Sequence, residues 1–109
     1  MSEAIETAKQ MKLIIEALKV EGHRSGELIE EKARSTMAYK VARATESVRA
    51  KDGGMAVTMI KHHAEGAAGQ EEYAMIVAVE SLKAHWARMD NLKAQLNAYQ
   101  SINRHLSVS

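Results

Sequence analysis

The segment Lys61-His62-His63-Ala64-Glu65 holds the residue types best able to do chemistry in this chain. His62 and Glu65 are three residues apart, so they would share one face of a helix, and both types can bind a metal. Two ligands do not make a metal site. The sequence has no His-Glu-x-x-His motif, no repeated Glu-x-x-His pair and no cysteine to complete one. We interpret the segment as a solvated basic turn and predict no metal and no cofactor.

Catalytic and nucleotide-binding motifs are also missing. There is no GxSxG, no GxxxxGK[ST], no GxGxxG, and no Ser, His and Asp arrangement that sequence spacing supports. His85 falls instead on the apolar face of a predicted helix, where a core histidine that hydrogen-bonds to a partner helix is the commoner role. We therefore predict no catalytic residues and a protein that is not an enzyme.

Composition favours a small all-helical protein. The 109 residues predict one domain, and the absence of proline and phenylalanine, with 46% hydrophobic residues, favours long helices around a thin core. The net charge of +1 argues against a strongly basic nucleic-acid binder. No cysteine, no signal peptide and no apolar run longer than Tyr73 to Val79 are found, so we expect a cytoplasmic protein without a membrane segment.

Helical periodicity divides the chain into segments. We predict a first helix over 2–20, a second over 27–51 and a short one over 55–63, with the clearest turn at Asp52-Gly53-Gly54. Gly22 and Gly26 favour either a hinge or a weakened continuous helix, and both remain open. The second helix carries an apolar stripe at steps of three and four residues: Ile29, Ala33, Met37, Val41, Ala44 and Val48.

The last third of the chain, Glu71 to Leu106, predicts one long helix with a heptad seam. Its members interleave at steps of three and four: Leu82, His85, Met89, Leu92, Leu96, Tyr99, Asn103 and Leu106. Asn103 either fixes the register of a helix pair or lies exposed where the seam ends. The predicted fold is an all-α, long antiparallel helical hairpin or coiled coil (27–109), with a short connecting helix and an N-terminal helical arm and hinge (1–26).

Two surfaces are candidates for binding. The apolar stripes are wider than a two-helix contact needs, so we expect a homo-oligomer, dimer or higher, through the seam and a protein partner on a face with Ile14, Ile15, Leu18 and Trp86. A stripe of cations on the second helix could contact phosphates: Arg34, Lys40, Arg43, Arg49 and Lys51. A helix dipole selects the same gradient, with acids first and bases last, without any partner.

The closing segment Leu92-Lys93-Ala94-Gln95-Leu96-Asn97-Ala98-Tyr99-Gln100-Ser101-Ile102-Asn103-Arg104, with Glu71-Glu72-Tyr73 and the glycine turn, resembles a known group of proteins. It is similar to small helical-hairpin proteins of tailed bacteriophages that are encoded near recombination and early genes. The resemblance covers residues 27 to 106 and brings no functional residues with it. It implies a phage accessory protein that acts in the host cytoplasm.

Three functions follow as expectations. The first is a non-enzymatic module that oligomerises and binds a host or phage protein, as an inhibitor or adaptor of nucleic-acid-processing or defence machinery. The second is a nucleic-acid-binding accessory of phage recombination. The third is a structural or assembly component of the phage particle.

Overall fold

The structure, a computed structural model, describes residues 2–108, with side chains described over 2–107. It has three helices: α1 (Ser2–Asp52), α2 (Val57–Ala67) and α3 (Gly69–Val108). No strand occurs among the described residues, and the predicted all-α helical hairpin with a short connecting helix is confirmed. Residues 1 and 109, the outer ends of the two predicted segments, lie outside the described residues.

α1 has no break at residues 22–26. It continues through Gly22 and Gly26, so the continuous helix, not the hinge, is the alternative that the structure adopts. A Cβ added at either glycine would meet no atom within 4 Å, so no close approach requires a glycine there. Each glycine costs helix stability of about 0.5–1 kcal/mol relative to alanine.

The turn after α1 is closed by a glycine in the left-handed region. Gly54 has φ +83°, and its N–H donates to the carbonyl oxygen of Lys51 at 3.1 Å. The next N–H, from Met55, donates to the carbonyl oxygen of Ala50 at 3.0 Å. This pair of hydrogen bonds is the Schellman pattern, in which glycine avoids the steric cost of positive φ. The predicted turn is confirmed. The positive φ of Gly54 and these two hydrogen bonds end α1.

The connection between α2 and α3 is shorter than predicted. α2 extends to Ala67 and α3 begins at Gly69, so Ala68 alone separates the two helices. The sequence predicted a short helix that ends at residue 63 and a long one that begins at Glu71. Ala68 donates its N–H to Ala64 and accepts from the N–H of Glu72, both at 3.0 Å. Ala64 and Ala68 are fully buried, which side chains of this size allow where two helices meet closely.

The chain forms two compact units. The terminal unit consists of residues 2–27 and 83–108, so it pairs the start of α1 with the end of α3, which the sequence had placed in separate segments. Ser25 lies beside His85, while Glu21 lies beside both His85 and Arg88, so the two helices are antiparallel there. Thr7, Ile14 and His85 are buried in this unit.

The central unit consists of residues 28–82 and contains the rest of α1, all of α2 and the start of α3. Its buried side chains are mostly small: Ser35, Ala50, Ala64, Ala68, Ala78 and Leu82. Arg43 of α1 pairs with Glu65 of α2 at 3.6 Å. Because small side chains bury little area, hydrophobic burial inside this unit is modest.

Candidate functional site: an exposed apolar stripe and a buried polar cluster

In the central unit, the least exposed side of α1 is small or polar. Ser35 is 6% exposed and Ala50 is 7% exposed. The Ser35 hydroxyl donates to the Glu31 carboxylate at 3.1 Å, which satisfies its polar group. The half-buried residues on this side are Leu28, Thr36, Tyr39, Ala42, Arg43, Glu46 and Ser47. Packing inside the unit therefore uses a face that the apolar pattern does not mark.

The apolar stripe that the sequence predicts on this helix is exposed. We call Ile29, Ala33, Met37, Val41, Ala44 and Val48 the α1 stripe, and all six are exposed. The exposed fractions of the larger members are 48% for Ile29, 61% for Met37, 55% for Val41 and 59% for Val48. Successive members are four, four, four, three and four residues apart, the spacing of one helix face. The six residues therefore form an exposed apolar face along α1.

A polar cluster crosses the two helices of the terminal unit. The His85 cluster consists of Glu21, Ser25, His85 and Arg88. His85 is fully buried, and its Nε2 hydrogen-bonds to the Ser25 hydroxyl at 2.7 Å while its Nδ1 hydrogen-bonds to Glu21 Oε2 at 2.9 Å. The ring also lies against Trp86, with centroids 5.1 Å apart. Both ring nitrogens are therefore satisfied by residues of α1.

Glu21 is the charged centre of this cluster. Partial burial alone would raise its pKa, but the hydrogen bond from His85 and the positive charges of Arg88 and Arg24 hold the pKa of this carboxyl below its ordinary 4.5. Arg88 Nε lies 3.7 Å from Oε2, and Arg24 Nη1 lies 3.5 Å from Oε1. Glu21 is thus held as a carboxylate at neutral pH.

The order Ser25, His85, Glu21 matches that of nucleophile, base and carboxylate in hydrolases. The surroundings do not match. Ser25 lies within α1, where backbone N–H groups are used by the helix itself, so they are not turned toward an oxyanion. His85 has no exposed surface over which a substrate could approach. We interpret the cluster as a satisfied polar network that pairs one position of α1 with one position of α3.

The predicted oligomer seam lies partly against α1 of the same chain. Leu82 and His85 are buried, and Met89 accepts a weak hydrogen bond from Ser25 at 3.8 Å. Leu92 lines a groove with Ala17. The remaining apolar members, Leu96, Tyr99 and Leu106, are half-buried. Asn103 is exposed in the single chain, and both alternatives for it stay predictions.

The four residues of the candidate partner face differ in burial. Ile14 is 6% exposed, so within the chain it belongs to the core of the terminal unit, and it is removed from the candidate face. Leu18 is half-buried. Ile15 and Trp86 remain exposed at 41% and 42%. The reason is helix geometry, since adjacent residues point about 100° apart and cannot both face α3.

The candidate nucleic-acid stripe is largely engaged in ion pairs. Arg34 pairs with Glu31 at 2.8 Å, Arg49 with Glu46 at 2.8 Å and Arg43 with Glu65 at 3.6 Å. Arg43 also lies over the ring of Tyr39, 5.7 Å from its centroid. Lys40 and Lys51 are exposed. Three of the five cations thus already have an acidic neighbour in the chain.

The histidine segment, residues 61–65, lies within α2. His62 and His63 are exposed and Glu65 is half-buried beside Arg43. No group of three metal-ligating side chains occurs among the described residues. Over the same residues, no helix is long and apolar enough to cross a bilayer.

Glu21, Ser25 and Arg88 are functional candidates that sequence reasoning missed. Each lies 60 or more residues from its partner on the opposite helix, so no local motif marks them. The available signal was His85 itself. A histidine on an apolar seam needs hydrogen-bond partners, and the polar residues on one face of the opposing helix are the places to look for them.

Comparison of the chain with protein-family models, curated proteins and solved structures found no match. We therefore infer the function from the α1 stripe, the His85 cluster and the charges around them.

Proposed function

We propose that this chain is a non-enzymatic accessory protein that self-associates and binds another protein through exposed helix faces. As the resemblance implies, it would be phage-encoded and would act in the host cytoplasm as an inhibitor or adaptor of nucleic-acid-processing or defence machinery. The support from the structure is the distribution of apolar side chains. The phage setting is supported by the resemblance alone.

The proposal depends on the observation that very few large apolar side chains are buried. Among the described residues, Ile14 and Leu82 are the large apolar side chains that are buried, whereas fifteen are between 41% and 84% exposed. Fully burying one such side chain stabilises by about 1.5–3 kcal/mol, so a chain that leaves this many in water has much to gain from a partner.

A protein is a better partner than a nucleic acid for these surfaces. Trp86 and Ile15 are exposed apolar side chains of the terminal unit, and a partly exposed tryptophan is a common anchor of protein interfaces. A phosphate-binding surface needs cations that can give up their counterions to a backbone. Ion pairing of Arg34, Arg43 and Arg49 with carboxylates lowers the net charge of the only cation stripe that the sequence predicted.

The first test is sedimentation velocity of the full chain from low to high micromolar concentration. We expect a mass above that of the 12.0 kDa monomer and a sedimentation coefficient that rises with concentration. A single monomeric species over the whole range would contradict self-association.

The second test places a photo-crosslinking amino acid at position 86 and, as a matched control, at the exposed position Lys93. Expression in bacterial cells is expected to give one protein adduct at position 86 and none at position 93. The adduct is then purified separately and its binding is measured with the wild-type chain and with Trp86→Ala. Equal affinity for the two chains would contradict a role of Trp86 in partner binding.

A further inference from the structure

We propose that the α1 stripe pairs with the α1 stripe of a second copy of this chain, with the two helices antiparallel. The inference rests on the self-association proposed above and adds the surface and the orientation. Every member of the stripe is exposed, and the opposite side of this helix is the one that packs within the central unit. The stripe is therefore available along its whole length from Ile29 to Val48.

The sizes of the stripe residues are symmetric about its midpoint. In an antiparallel pair, Ile29 lies opposite Val48 of the second copy and Ala33 opposite Ala44, and Met37 lies within one residue of Val41. Large side chains then meet large ones at the ends and the centre. Alanine meets alanine between them, where small side chains let the helices approach closely. A two-fold contact requires this reciprocity, because the same patch serves on both copies.

The charges along the same segment favour the antiparallel orientation. Residues 27–38 contain three acids and two bases, whereas residues 39–51 contain four bases and one acid. An antiparallel pair places the acidic end of one helix along the basic end of the other. In a parallel pair, the basic ends would lie side by side and repel each other. The pairs of Arg49 with Glu46 and Arg43 with Glu65 reduce this difference in charge but do not remove it. Glu27 then lies near the exposed Lys51 of the second copy.

Cysteine cross-linking distinguishes the two orientations, and the chain has no cysteine of its own. Ile29→Cys and Val48→Cys are made separately, mixed and oxidised. In the antiparallel pair, position 29 faces position 48, so the mixture is expected to give the 29–48 disulfide. Two copies of position 29 would be about 28 Å apart along the helices, far beyond the reach of a disulfide. Leu13→Cys mixed with Val48→Cys is the matched control, since Leu13 is 62% exposed in the terminal unit.

A charged substitution gives the second readout. Val41→Glu places a carboxylate at the centre of the stripe and is expected to shift the weight-average mass to that of the monomer. Leu13→Glu, at an equally exposed position, is expected to leave it unchanged. Circular dichroism checks that both variants keep the helix content of the wild type. If Val41→Glu loses helix content, the result of the cysteine cross-linking decides whether the stripe is the interface, because those substitutions perturb the stripe less.

The outcomes separate this inference from the proposed function. A 29–48 disulfide together with monomeric Val41→Glu supports the antiparallel pair. Disulfides joining 29 to 29 and 48 to 48 would overturn the orientation. Wild-type self-association that Val41→Glu leaves intact would overturn the stripe as the interface and leave the proposed self-association standing. A wild-type chain that stays monomeric at every concentration would overturn both the self-association and the antiparallel pair. The α1 stripe would then be a candidate surface for a different protein.

Discussion

Glu21 lies beside a histidine and two arginines. It accepts a hydrogen bond from His85 and lies within 4 Å of both Arg88 and Arg24. These groups hold the pKa of its carboxyl below the ordinary 4.5, although partial burial opposes them. Because the pKa is lower in the folded chain than in the unfolded chain, the folded state binds this proton less readily.

The pH dependence of stability follows from that sign. The stabilisation from Glu21 is present above pH 4.5 and is lost as the pH falls through the lower pKa of the folded state. Glu21→Gln is expected to lower the free energy of unfolding at neutral pH and to flatten its decline in acid. Urea denaturation from neutral pH into the acid range measures both. Glu16→Gln, at an exposed position of the same helix, is the control, and an equal change in both variants would contradict the assignment.

Ser25 tests whether the hydrogen-bond chain is structural or reactive. We expect no labelling of Ser25 by a fluorophosphonate, since the hydroxyl lies in a helix with no free N–H donors for an oxyanion and its histidine is fully buried. Intact-protein mass spectrometry after incubation gives the result. An adduct that forms on the wild type and disappears in both Ser25→Ala and His85→Ala would contradict the non-enzymatic proposal.

At the scale of the element, the glycines of this chain have different roles although they have the same side chain. Gly54 ends α1 with φ +83°, a conformation that a residue with a Cβ adopts at a cost. Gly22 lies inside α1 with open space where a Cβ would be. Sequence alone marks both as breakers, and the backbone conformation separates them.

Alanine at these two positions is expected to change stability in opposite directions. Gly54→Ala should destabilise the fold by about 1–2 kcal/mol, because it forces a Cβ into the left-handed region. Gly22→Ala should stabilise it by about 0.5–1 kcal/mol, because it replaces glycine in a helix interior without a clash. Urea denaturation of both variants beside the wild type is the measurement. Destabilisation by Gly22→Ala would indicate that α1 bends at this glycine in solution.

At the scale of the whole molecule, charge and apolar surface favour different partners. The net charge is +1, and three cations of the candidate nucleic-acid stripe are paired with carboxylates. Apolar side chains, by contrast, are exposed in both units. This balance supports the proposal that the chain binds protein, including a second copy of itself.

Nucleic-acid binding is therefore expected to be weak. Fluorescence anisotropy with labelled single- and double-stranded oligonucleotides should show no binding at near-physiological salt. Few counterions are released when three of the five cations of the candidate stripe are already paired. Lys40→Ala with Lys51→Ala, which removes the two exposed lysines, is the matched variant. Micromolar binding that falls steeply with salt and is lost in this variant would restore the nucleic-acid alternative.

Much of the fold could be predicted from local patterns. The absence of proline, the helical spacing of apolar residues and the Gly53-Gly54 pair determined an all-α chain of long helices with a turn after residue 52. These are properties of neighbouring residues: backbone propensity, one-face periodicity and the tolerance of glycine for positive φ. Local patterns could not decide whether α1 continues through Gly22 and Gly26. Two glycines destabilise a helix so little that packing against other helices decides whether it continues.

What only the tertiary structure decided is which faces meet. The sequence by itself determined that Ile29, Met37 and Val41 share one face, but a periodicity does not say whether its partner lies in the same chain. In the folded chain, α1 turns Ser35 and Ala50 inward and leaves that stripe exposed. The His85 cluster depends in the same way on contacts across 60 or more residues. Such pairings are set by the packing of whole helices, and no local pattern contains them.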